Sequence, residues 1–537
     1  MSLSPSQLQV LIAALGGVAE EVGAVLQRSA FSPNIKERGD CSAAVFTADG
    51  QLLAQAEHIP VHLGSMPASV AVVVDVLGDS LGPGDQAIVN DPYAGGTHLN
   101  DVTVVAPCHV DGRLVGWVAN RAHHADLGGA APGSMPAHAT TIHEEGLRIP
   151  PMRFTSEVRE LLLAASRTPW ERAGDVDAQV GANVMGVSRL ARLAGMSFEE
   201  VLAHGERRCR AVLAAVPVGR WEATDVLDST GPGADQQQSA VLRCAVSIDH
   251  GGPGLDGPSI TFDFTGTDLH RAGNTNAVRA VTVSAVAFVL RSALDPALPA
   301  NAGVMRPVRV VTEDGSIVAA SFPAAVGAGN VEVSQRVVDV SLRALAAAVP
   351  DRVPAASQGT MNNVLVGGRG SGGAEVPWVY YETIGGGQGG RPPRPDTPGA
   401  RPQPGQSGIQ TGMTNTLNTP IEALERAYPM RVLRYRLRRG SGGAGLAPGG
   451  EGIERDLQVL EDVTVSLITE RRILQPWGLA GGEPGAVGEN WLLPGGDEAR
   501  AERLPDKCTI QLKAGDVVRM LTPGGGGWGT PRPSNDL

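Results

Sequence analysis

The chain has 537 residues and a formal net charge of −12, with 42% hydrophobic and 19% charged residues. That composition excludes a generally disordered chain, and the acidic balance argues against a protein that binds nucleic acid or a membrane surface. The length predicts about three domains at roughly 150 residues each. Glycine is in excess, with 70 residues, so we expect many tight turns or sites lined by backbone.

Helices and hairpins alternate in the first part of the chain. In chain order we expect a helix over about 6–28, a hairpin over 41–54 and a second helix over about 66–78. A second hairpin is predicted more clearly, because apolar runs at 102–110 and 113–122 flank Asp111-Gly112. Helical periodicity then returns at about 156–166, 175–194 and 197–216. The last of these begins with a predicted capping box at Ser197-Phe-Glu-Glu200.

From about residue 220 the pattern is rich in strands, with helices near 275–294 and 332–348. We therefore predict an α+β fold: a mixed N-terminal region, 1–215, followed by a β-rich region with inserted helices, 216–537. The stretch at 385–410, rich in proline, glycine and arginine, is a candidate internal boundary. After about residue 430 we expect short strands separated by glycine turns.

The cysteine and lysine residues indicate the redox environment of the protein and exclude one mode of ATP binding. Five cysteines, an odd number without a Cys-x-x-Cys pair, indicate reduced thiols and a cytoplasmic protein. The chain start has no signal-peptide pattern, and no apolar run of about 18 residues without charge predicts a membrane span. No lysine lies in a Gly-Lys-Ser/Thr sequence, which excludes ATP binding through a P-loop.

Histidine is unevenly distributed, since eight of the 11 histidines lie between residues 58 and 143. Imidazole and carboxylate side chains together suit a divalent ion such as zinc, manganese or iron. The alternative is that each histidine holds a loop through hydrogen bonds, and for the cluster as a whole we favour a metal site. Taken singly, five of these residues are expected to be structural, supporting or exposed: His58, His62, His109, His138 and His143.

The second hairpin places three polar residues at one end. Counting back from a two-residue turn, Asp101 lies opposite Ala122, and His123 emerges beside it at the open end, with His98 just beyond. Strict alternation would point Asp101 and His123 to opposite faces of the sheet. We therefore expect a bulge or loop within 95–101, so that both can bind one ion.

These stretches resemble the hydantoinase B family, which includes one part of 5-oxoprolinases and subunits of acetone and acetophenone carboxylases. Matching segments cover nearly the whole chain, at 31–40, 56–66, 90–101, 120–126, 132–135, 145–151, 328–332, 358–362, 382–386, 413–416, 475–479 and 522–528. The sequence departs from the resemblance at Gly412, where relatives often carry histidine.

The resemblance implies a metal ion held by one early aspartate, by the His and Asp of a Thr-His-Leu-x-Asp motif, and by a later histidine. Here these are Asp40, His98, Asp101 and His123. The hairpin argument reaches the last three, whereas the first follows from the resemblance alone. His124 and Asp126 are then the candidate catalytic residues, as general acid or base.

The resemblance also implies a partner, an ATP-binding subunit of the hydantoinase A type, in a heterotetramer with two copies of each chain. The partner would bind ATP and phosphorylate the ring carbonyl of a hydantoin, N-methylhydantoin-like or lactam substrate, whose ring this metal-dependent subunit would open. Two alternatives stay open. One is a subunit of an ATP-dependent ketone carboxylase, and the other is a non-catalytic, metal-stabilised scaffold for the ATPase subunit.

Overall fold

The computed structural model describes residues 3–56, 59–230, 239–251, 257–370, 376–394, 397 and 399–532. His58 lies outside these residues. The described chain combines helices with four β-sheets, so the predicted α+β class is confirmed. The division into 1–215 and 216–537, with a boundary near 385–410, stays a prediction.

The helices of the described part are α1 (Pro5–Ser29), α2 (Pro33–Lys36), α3 (His62–Leu77), α4 (Ser156–Ala165), α5 (Pro169–Leu190), α6 (Phe198–Ala214), α7 (Arg279–Ala293), α8 (Ala302–Met305), α9 (Ser334–Leu345) and α10 (Ile421–Ala427). Its first strands are β1 (Cys41–Thr47), β2 (Leu52–Ala56), β3 (Ala87–Val89), β4 (Asp101–Val110), β5 (Arg113–His123), β6 (Met152–Arg153), β7 (Gly219–Leu227), β8 (Ala240–Asp249), β9 (Ser259–Asp263) and β10 (Val308–Val311). The later strands are β11 (Asn363–Gly368), β12 (Trp378–Thr383), β13 (Met430–Arg438), β14 (Gly452–Val459), β15 (Val463–Ile468), β16 (Glu489–Leu493), β17 (Glu502–Leu504), β18 (Lys507–Leu512) and β19 (Val517–Leu521).

The first sheet has the strand order β2-β1-β5-β4-β3-β6. Both predicted hairpins are confirmed, since β1 pairs with β2 and β4 pairs with β5 in antiparallel fashion. Helices α1 and α5 pack on one face of this sheet, and α3 packs on the other. Each face is apolar at alternate positions, as a sheet covered on both sides requires.

The capping box predicted at Ser197 is wrong. Ser197 does occupy the N-cap position of α6, but its side chain makes no capping hydrogen bond. The Glu200 carboxylate instead accepts hydrogen bonds of 3.0 and 2.9 Å from the backbone N–H of Leu3. A long-range contact has therefore replaced the local one. Capping boxes do form at Ser4 and Gln7, at the start of α1, and at Thr141 and Glu144.

Three further sheets follow, with the orders β10-β9-β8-β7, β12-β11-β15-β18 and β13-β14-β19-β16-β17. Helix α9 packs against β7 and β8 and also against α7. Strand β10 is parallel to β9, because α7 and α8 form the crossover between them. The sheet that contains β12 borders the first sheet, and the candidate site lies where the two meet.

Glycine-rich segments near the C-terminal end pack backbone against backbone, at 385–390, 404–408, 441–450, 476–485 and 522–529. The Gly450 N–H donates to the Gln388 carbonyl at 2.8 Å, and the Gly525 N–H donates to the Gly450 carbonyl at 2.9 Å. A Cβ on Gly525 would lie 2.1 Å from the Gln388 oxygen. The expectation of glycine turns holds at Gly440 and Gly515, which have positive φ. The segments themselves contain further positive-φ glycines, such as Gly481 and Gly529, but at many of their other positions glycine instead permits backbones to touch.

Buried ion pairs connect α9 with residues of the β-rich region. Arg336 on α9 pairs with Glu470 at 3.1 Å, and the same carboxylate pairs with Lys507 at 2.8 Å. Arg471 pairs with Asp339, also on α9, at 2.5 Å. All five side chains are buried, so the loss of one partner would leave an uncompensated charge inside the protein.

Two apolar helices and the state of the cysteines are relevant to the predictions of a cytoplasmic location and of no membrane span. Helices Pro5–Ser29 and His62–Ser80 are long and apolar enough to cross a membrane, with mean hydropathies of 1.6 and 1.2. Both serve here as core helices, because α1 packs against α5 and α3 packs against α7. The five cysteines are buried and free of disulfides, as predicted. The cytoplasmic location and the expected lack of a membrane span stay predictions.

Candidate metal centre

Asp101 and His123 lie directly opposite each other at the open end of the second hairpin. The predicted register, with Asp101 opposite Ala122, is wrong because β5 contains one extra residue near the turn. The register shifts between Cys108 and His109, so that Val115 has no partner. Directly opposed residues of antiparallel strands share a face. The bulge therefore turns Asp101 and His123 toward α3 together.

Asp40 joins the same row. Cys41 pairs with Ala122 in the register of β1 and β5, and the His123 N–H donates to the Asp40 carbonyl at 3.0 Å. Asp40, His123 and Asp101 thus stand side by side at the ends of three neighbouring strands. Their side chains share one face of the sheet, which the hairpin alone could not reveal.

His98 reaches this row from the loop that precedes β4. Gly95 has φ +85, and a Cβ there would lie 2.4 Å from the backbone of Ala68 on α3. A Cβ on Gly96 would lie 2.7 Å from the Asp91 carbonyl. The two glycines therefore let the loop turn tightly against α3. The predicted loop within 95–101 is confirmed, although the register shift lies elsewhere.

The four predicted ligands form one buried cluster. The His98 Nδ1 atom lies 3.2 Å from Asp101 Oδ2, and the His123 Nδ1 atom lies 3.6 Å from Asp101 Oδ1 and 3.9 Å from Asp40 Oδ2. His98, Asp101 and His123 each offer an atom within 4.8 Å of the others, an arrangement that could hold a metal ion. Two carboxylates and two imidazoles form a donor set that suits a divalent cation.

The electrostatics of the cluster also fit a cation. Burial raises the pKa of Asp40 to about 7, although Arg38 opposes the shift. Burial lowers the pKa of the His123 imidazole to about 3, so at neutral pH the ring is uncharged and one of its two nitrogens is free to bind an ion. The His123 Nε2 atom is buried and has no hydrogen-bond partner among the described residues. A cation would compensate the two buried carboxylates and give the imidazole a partner.

A comparison with known proteins shows the family to which the chain belongs. A family model described as Hydantoinase B/oxoprolinase matches residues 4–531. The chain belongs to this family. It is 36% identical to 5-oxoprolinase 1 of Arabidopsis thaliana over 98% of its own length, and it spans 42% of the length of that relative.

Two solved structures share the fold. The ATP-dependent caprolactamase from Pseudomonas jessenii matches with a TM-score of 0.87 and 25% identity, over 99% of this chain and 93% of that one. A nucleotide-free acetone carboxylase matches with a TM-score of 0.85 and 18% identity, over 98% of this chain and 76% of that one. At that lower identity the second likeness concerns the fold alone.

A small cavity adjoins the cluster in this hydantoinase B-family chain. Its volume is about 20 Å³, enough for one ion or one water molecule, which needs roughly 10–15 Å³. Its polar lining includes Asp40, Asp101 and His123, and its apolar lining includes Ile59, Val61, Val331, Met361 and Met413. Gly412 precedes that last residue with φ +66, and a Cβ there would lie 2.1 Å from Gln335 Oε1. The positive φ, a conformation that side chains rarely adopt, favours glycine at this position.

Three neighbours of the cluster were not predicted as site residues. His62, at the start of α3, places Nε2 3.4 Å from Asp101 Oδ2 and bonds Ser42 Oγ through Nδ1 at 2.9 Å. The Asn330 amide lies 3.2 Å from His98 Nδ1. The Tyr381 ring stacks on His123 at a centroid distance of 4.6 Å. His62 and Asn330 lie within stretches that match the family resemblance, whereas Tyr381 lies just before such a stretch and had no sequence signal of its own.

The other histidines of the segment stay outside the cluster. His138 and His143 are exposed, and His109 is half-buried near the turn of its hairpin. The His143 ring packs edge-on against Phe322 at a centroid distance of 5.6 Å. The described ones therefore fit the structural or exposed roles expected for them.

His124 lies on the opposite face of the first sheet from the cluster, toward α5. Its Nε2 atom is 2.9 Å from Gln179 Oε1, and burial lowers its pKa to about 4. Asp126 is also buried and accepts hydrogen bonds from the backbone of Gly133 at 3.1 Å and of Arg167 at 2.7 Å. The structure does not bring these two residues to the four ligands. Their contacts suit positioning of the loop after β5 better than proton transfer at the cluster.

Glu145 supports the turn that carries Asn330. Its carboxylate accepts hydrogen bonds from the backbone N–H groups of Val326 at 3.0 Å and Gly327 at 2.8 Å. The Val326 carbonyl in turn accepts from the Asn330 N–H at 3.3 Å. This turn leads into a π-helical segment, Gly329–Val333, a distortion often found at functional sites.

The buried Glu145 predicts a pH dependence of stability. Burial raises its pKa from 4.5 to about 8, although the two backbone donors oppose the shift. Between those values the unfolded chain loses a proton that the folded chain keeps, so this group lowers the free energy of unfolding as pH rises. We expect Glu145→Gln to remove that loss, which amounts to a few kcal/mol at about 1.4 kcal/mol per pKa unit.

Urea unfolding at pH 5 and pH 8 measures this effect. The stability of Glu145→Gln relative to the wild type should increase between the two values, while Glu160→Gln, whose side chain is 73% exposed, should show no such change. A constant difference between Glu145→Gln and the wild type would contradict the prediction.

Proposed function

We propose that the chain is the metal-dependent subunit of an ATP-dependent hydrolase of cyclic amides, which opens a hydantoin or lactam ring. The observation that carries the proposal is the buried row of Asp40, His123 and Asp101, with His98 beside it, at a small cavity in a chain of this family. The likeness to a caprolactamase at 25% identity supports the lactam as a substrate class.

In the proposal, the ligands are Asp40, His98, Asp101 and His123, and the ion is zinc, manganese or iron. When bound, such an ion would polarise an oxygen of the activated substrate and lower the pKa of a water molecule. The His62 imidazole contacts and positions the Asp101 carboxylate, and the Asn330 amide contacts and positions the His98 ring. The apolar wall around Met361 and Met413 excludes bulk water from the reacting carbon.

In the proposal a partner supplies the phosphoryl group, in line with the lack of a P-loop sequence in this chain. The chain spans 42% of the length of its 5-oxoprolinase relative, which is compatible with ATP being bound outside the residues of this sequence. We propose a hydantoinase A-type ATP-binding subunit, joined with this chain in a cytoplasmic heterotetramer.

An unstrained cyclic amide resists hydrolysis because its nitrogen is a poor leaving group. Transfer of the ATP γ-phosphoryl group to the ring carbonyl oxygen would activate the ring carbon and release ADP. Water then attacks that carbon, the ring C–N bond breaks, and the nitrogen leaves with a proton, which gives a ring-opened acyl phosphate that a second water molecule hydrolyses. The products are a ring-opened acid, ADP and phosphate.

ADP formation by the co-expressed complex tests this proposal. We expect release of ADP and a ring-opened acid with hydantoin, N-methylhydantoin, 5-oxoproline or a simple lactam. The likeness of fold to acetone carboxylase makes ketone carboxylation the second candidate. ADP formation with a ketone and bicarbonate, but with none of the rings, would favour that candidate. Full turnover without metal would favour a scaffold.

Metal binding should depend on pH through Asp40. Because burial raises its pKa to about 7, an ion must displace a proton from it at lower pH. The metal association constant is expected to rise about tenfold per pH unit up to pH 7 and to level off above. Calorimetry in two buffers should detect about one proton released at pH 6 and fewer at pH 8. Equal proton release at both values, or an unchanged profile in Asp40→Asn, would contradict this role.

A further inference from the structure

The aromatic ring of Tyr381 lies flat against the imidazole of His123. The two ring centroids are 4.6 Å apart and the planes differ by 11°. Tyr381 belongs to β12, in the sheet that borders the first sheet, and its side chain is buried. The β-rich region therefore contributes a surface to a cluster whose proposed ligands all come from the first 123 residues.

Arg38 holds this ring and the backbone around it. Its guanidinium carbon lies 4.8 Å from the Tyr381 ring centroid, within the range of a cation–π contact. The same group donates to the Tyr381 carbonyl at 2.6 Å and to Thr383 Oγ1 at 3.2 Å. It also bonds the side chain of Asn34, whose amide donates to the His123 carbonyl at 2.7 Å. The buried Arg38 guanidinium therefore contacts the Tyr381 ring directly and reaches the backbone of His123 through Asn34.

The outer edge of the ring is fixed as well. The Tyr381 hydroxyl donates to Asn363 Oδ1 at 2.9 Å. The Asn363 amide donates in turn to the Glu332 carboxylate at 2.9 Å and to the Ile468 carbonyl at 2.8 Å. The ring is therefore anchored by its backbone, by its face and by its hydroxyl group, and it cannot leave this position without breaking buried hydrogen bonds.

His123 has few restraints of its own. Its Nε2 atom has no hydrogen-bond partner among the described residues, and its Nδ1 atom faces only the carboxylates of Asp101 and Asp40. An imidazole that binds a metal ion usually needs a second group to fix its orientation. The ring of Tyr381 is stacked on His123 and can supply this restraint, whereas the other ring beside it, His98 at a centroid distance of 4.9 Å, is tilted by 50° and is itself a proposed ligand.

We propose that Tyr381, clamped by Arg38, is a positioning residue that fixes the ring plane of His123 for metal binding. This inference rests on the proposed function, because it assumes that His123 is a metal ligand. It assigns the aromatic ring, not the hydroxyl group, to this role, and it makes ion binding depend on contact between β12 and β5.

Cobalt(II) binding to the purified chain tests the assignment through affinity and through the visible absorption of the ion. We expect Tyr381→Leu to weaken binding by about 10–100-fold, the usual loss for a group that orients a ligand, and to alter the absorption spectrum. Tyr381→Phe keeps the ring and should remain within about threefold of the wild type. Tyr380→Leu removes a ring from the other face of β12 and should leave cobalt binding unchanged.

Wild-type affinity and spectrum in Tyr381→Leu would overturn the inference. A folded Tyr381→Phe protein that loses tenfold or more in affinity would also overturn it, because the hydroxyl group would then be required. That second result decides the matter even if Tyr381→Leu does not fold. Failure of the wild-type chain to bind cobalt would instead overturn the proposed metal centre.

Discussion

Replacement of Asp101 by asparagine is expected to abolish both metal binding and ATP-dependent ring opening. The buried carboxylate lies 3.2 Å from His98, 3.4 Å from His62 and 3.6 Å from His123, so it is the common neighbour of three imidazoles. Burial raises its pKa, but the facing histidines lower it more, and the net pKa lies well below the ordinary value. An amide of the same size removes the negative charge that an ion requires.

We expect the metal association constant of Asp101→Asn to fall at least about 100-fold. Turnover should fall at least about 10³-fold, because several kcal/mol of charge stabilisation are lost at about 1.4 kcal/mol per tenfold in rate. Metal content after dialysis and product formation by the complex measure the two effects. Asp111→Asn is the matched control: it lies at the exposed turn of the same hairpin with φ 50, a conformation that asparagine tolerates. Metal content and turnover like the wild type in Asp101→Asn would refute the assigned role.

Replacement of Gly525 by alanine is expected to cost more than about 3 kcal/mol of stability, because it forces atoms into a packed backbone. The added Cβ would lie 2.1 Å from the Gln388 oxygen and 2.3 Å from its carbonyl carbon. The neighbouring segments cannot withdraw easily, since Gly525 donates to Gly450 at 2.9 Å and accepts from Gly443 at 2.9 Å. The cost is steric, because the φ of Gly525 is not in the left-handed region.

Thermal and urea unfolding of Gly525→Ala should show a large loss, or the variant should not accumulate as folded protein. Gly181→Ala provides the control, since a Cβ at that position of α5 meets nothing within 4 Å. That variant should gain roughly 0.5–1 kcal/mol from helix propensity. Equal melting temperatures for Gly525→Ala and the wild type would show that the glycine segments do not depend on close contact.

Local patterns in the sequence were sufficient for much of the fold. Apolar spacing predicts α1 over 6–28, and Asp111-Gly112 predicts the hairpin that carries Asp101 and His123. These signals act between residues close in the chain, where turn chemistry and periodicity determine structure. The α+β class follows from the same elements.

The failures arise from contacts between distant residues. The bulge at Val115 lies next to Gly116, where the pairing of β5 with β1 begins, and a Cβ on Gly116 would lie 2.3 Å from the Phe46 carbonyl oxygen. No alternation of apolar residues encodes that contact, so the register was wrong by one. The close packing of the glycine segments could not be predicted for a similar reason, since Gln388 and Gly525 are far apart in the chain but touch through their backbones.

The same limit applies to the site. Three ligands could be inferred from one hairpin, but Asp40 required the pairing of β1 with β5, which only the family resemblance suggested. Asn330 and Tyr381 approach the cluster from segments more than 200 residues away in sequence. Nothing in their immediate neighbours marks an amide or an aromatic ring as part of a metal centre.

The central claim is that ring opening depends on one divalent ion held by Asp40, His98, Asp101 and His123. Its most direct test is the rate of ring-opened product formation by the co-expressed complex, measured against metal content as the metal-free protein is reloaded. The account predicts no product without metal and a rate that rises in proportion to occupancy, reaching its maximum at one ion per chain. Full ring opening by the metal-free complex would contradict it.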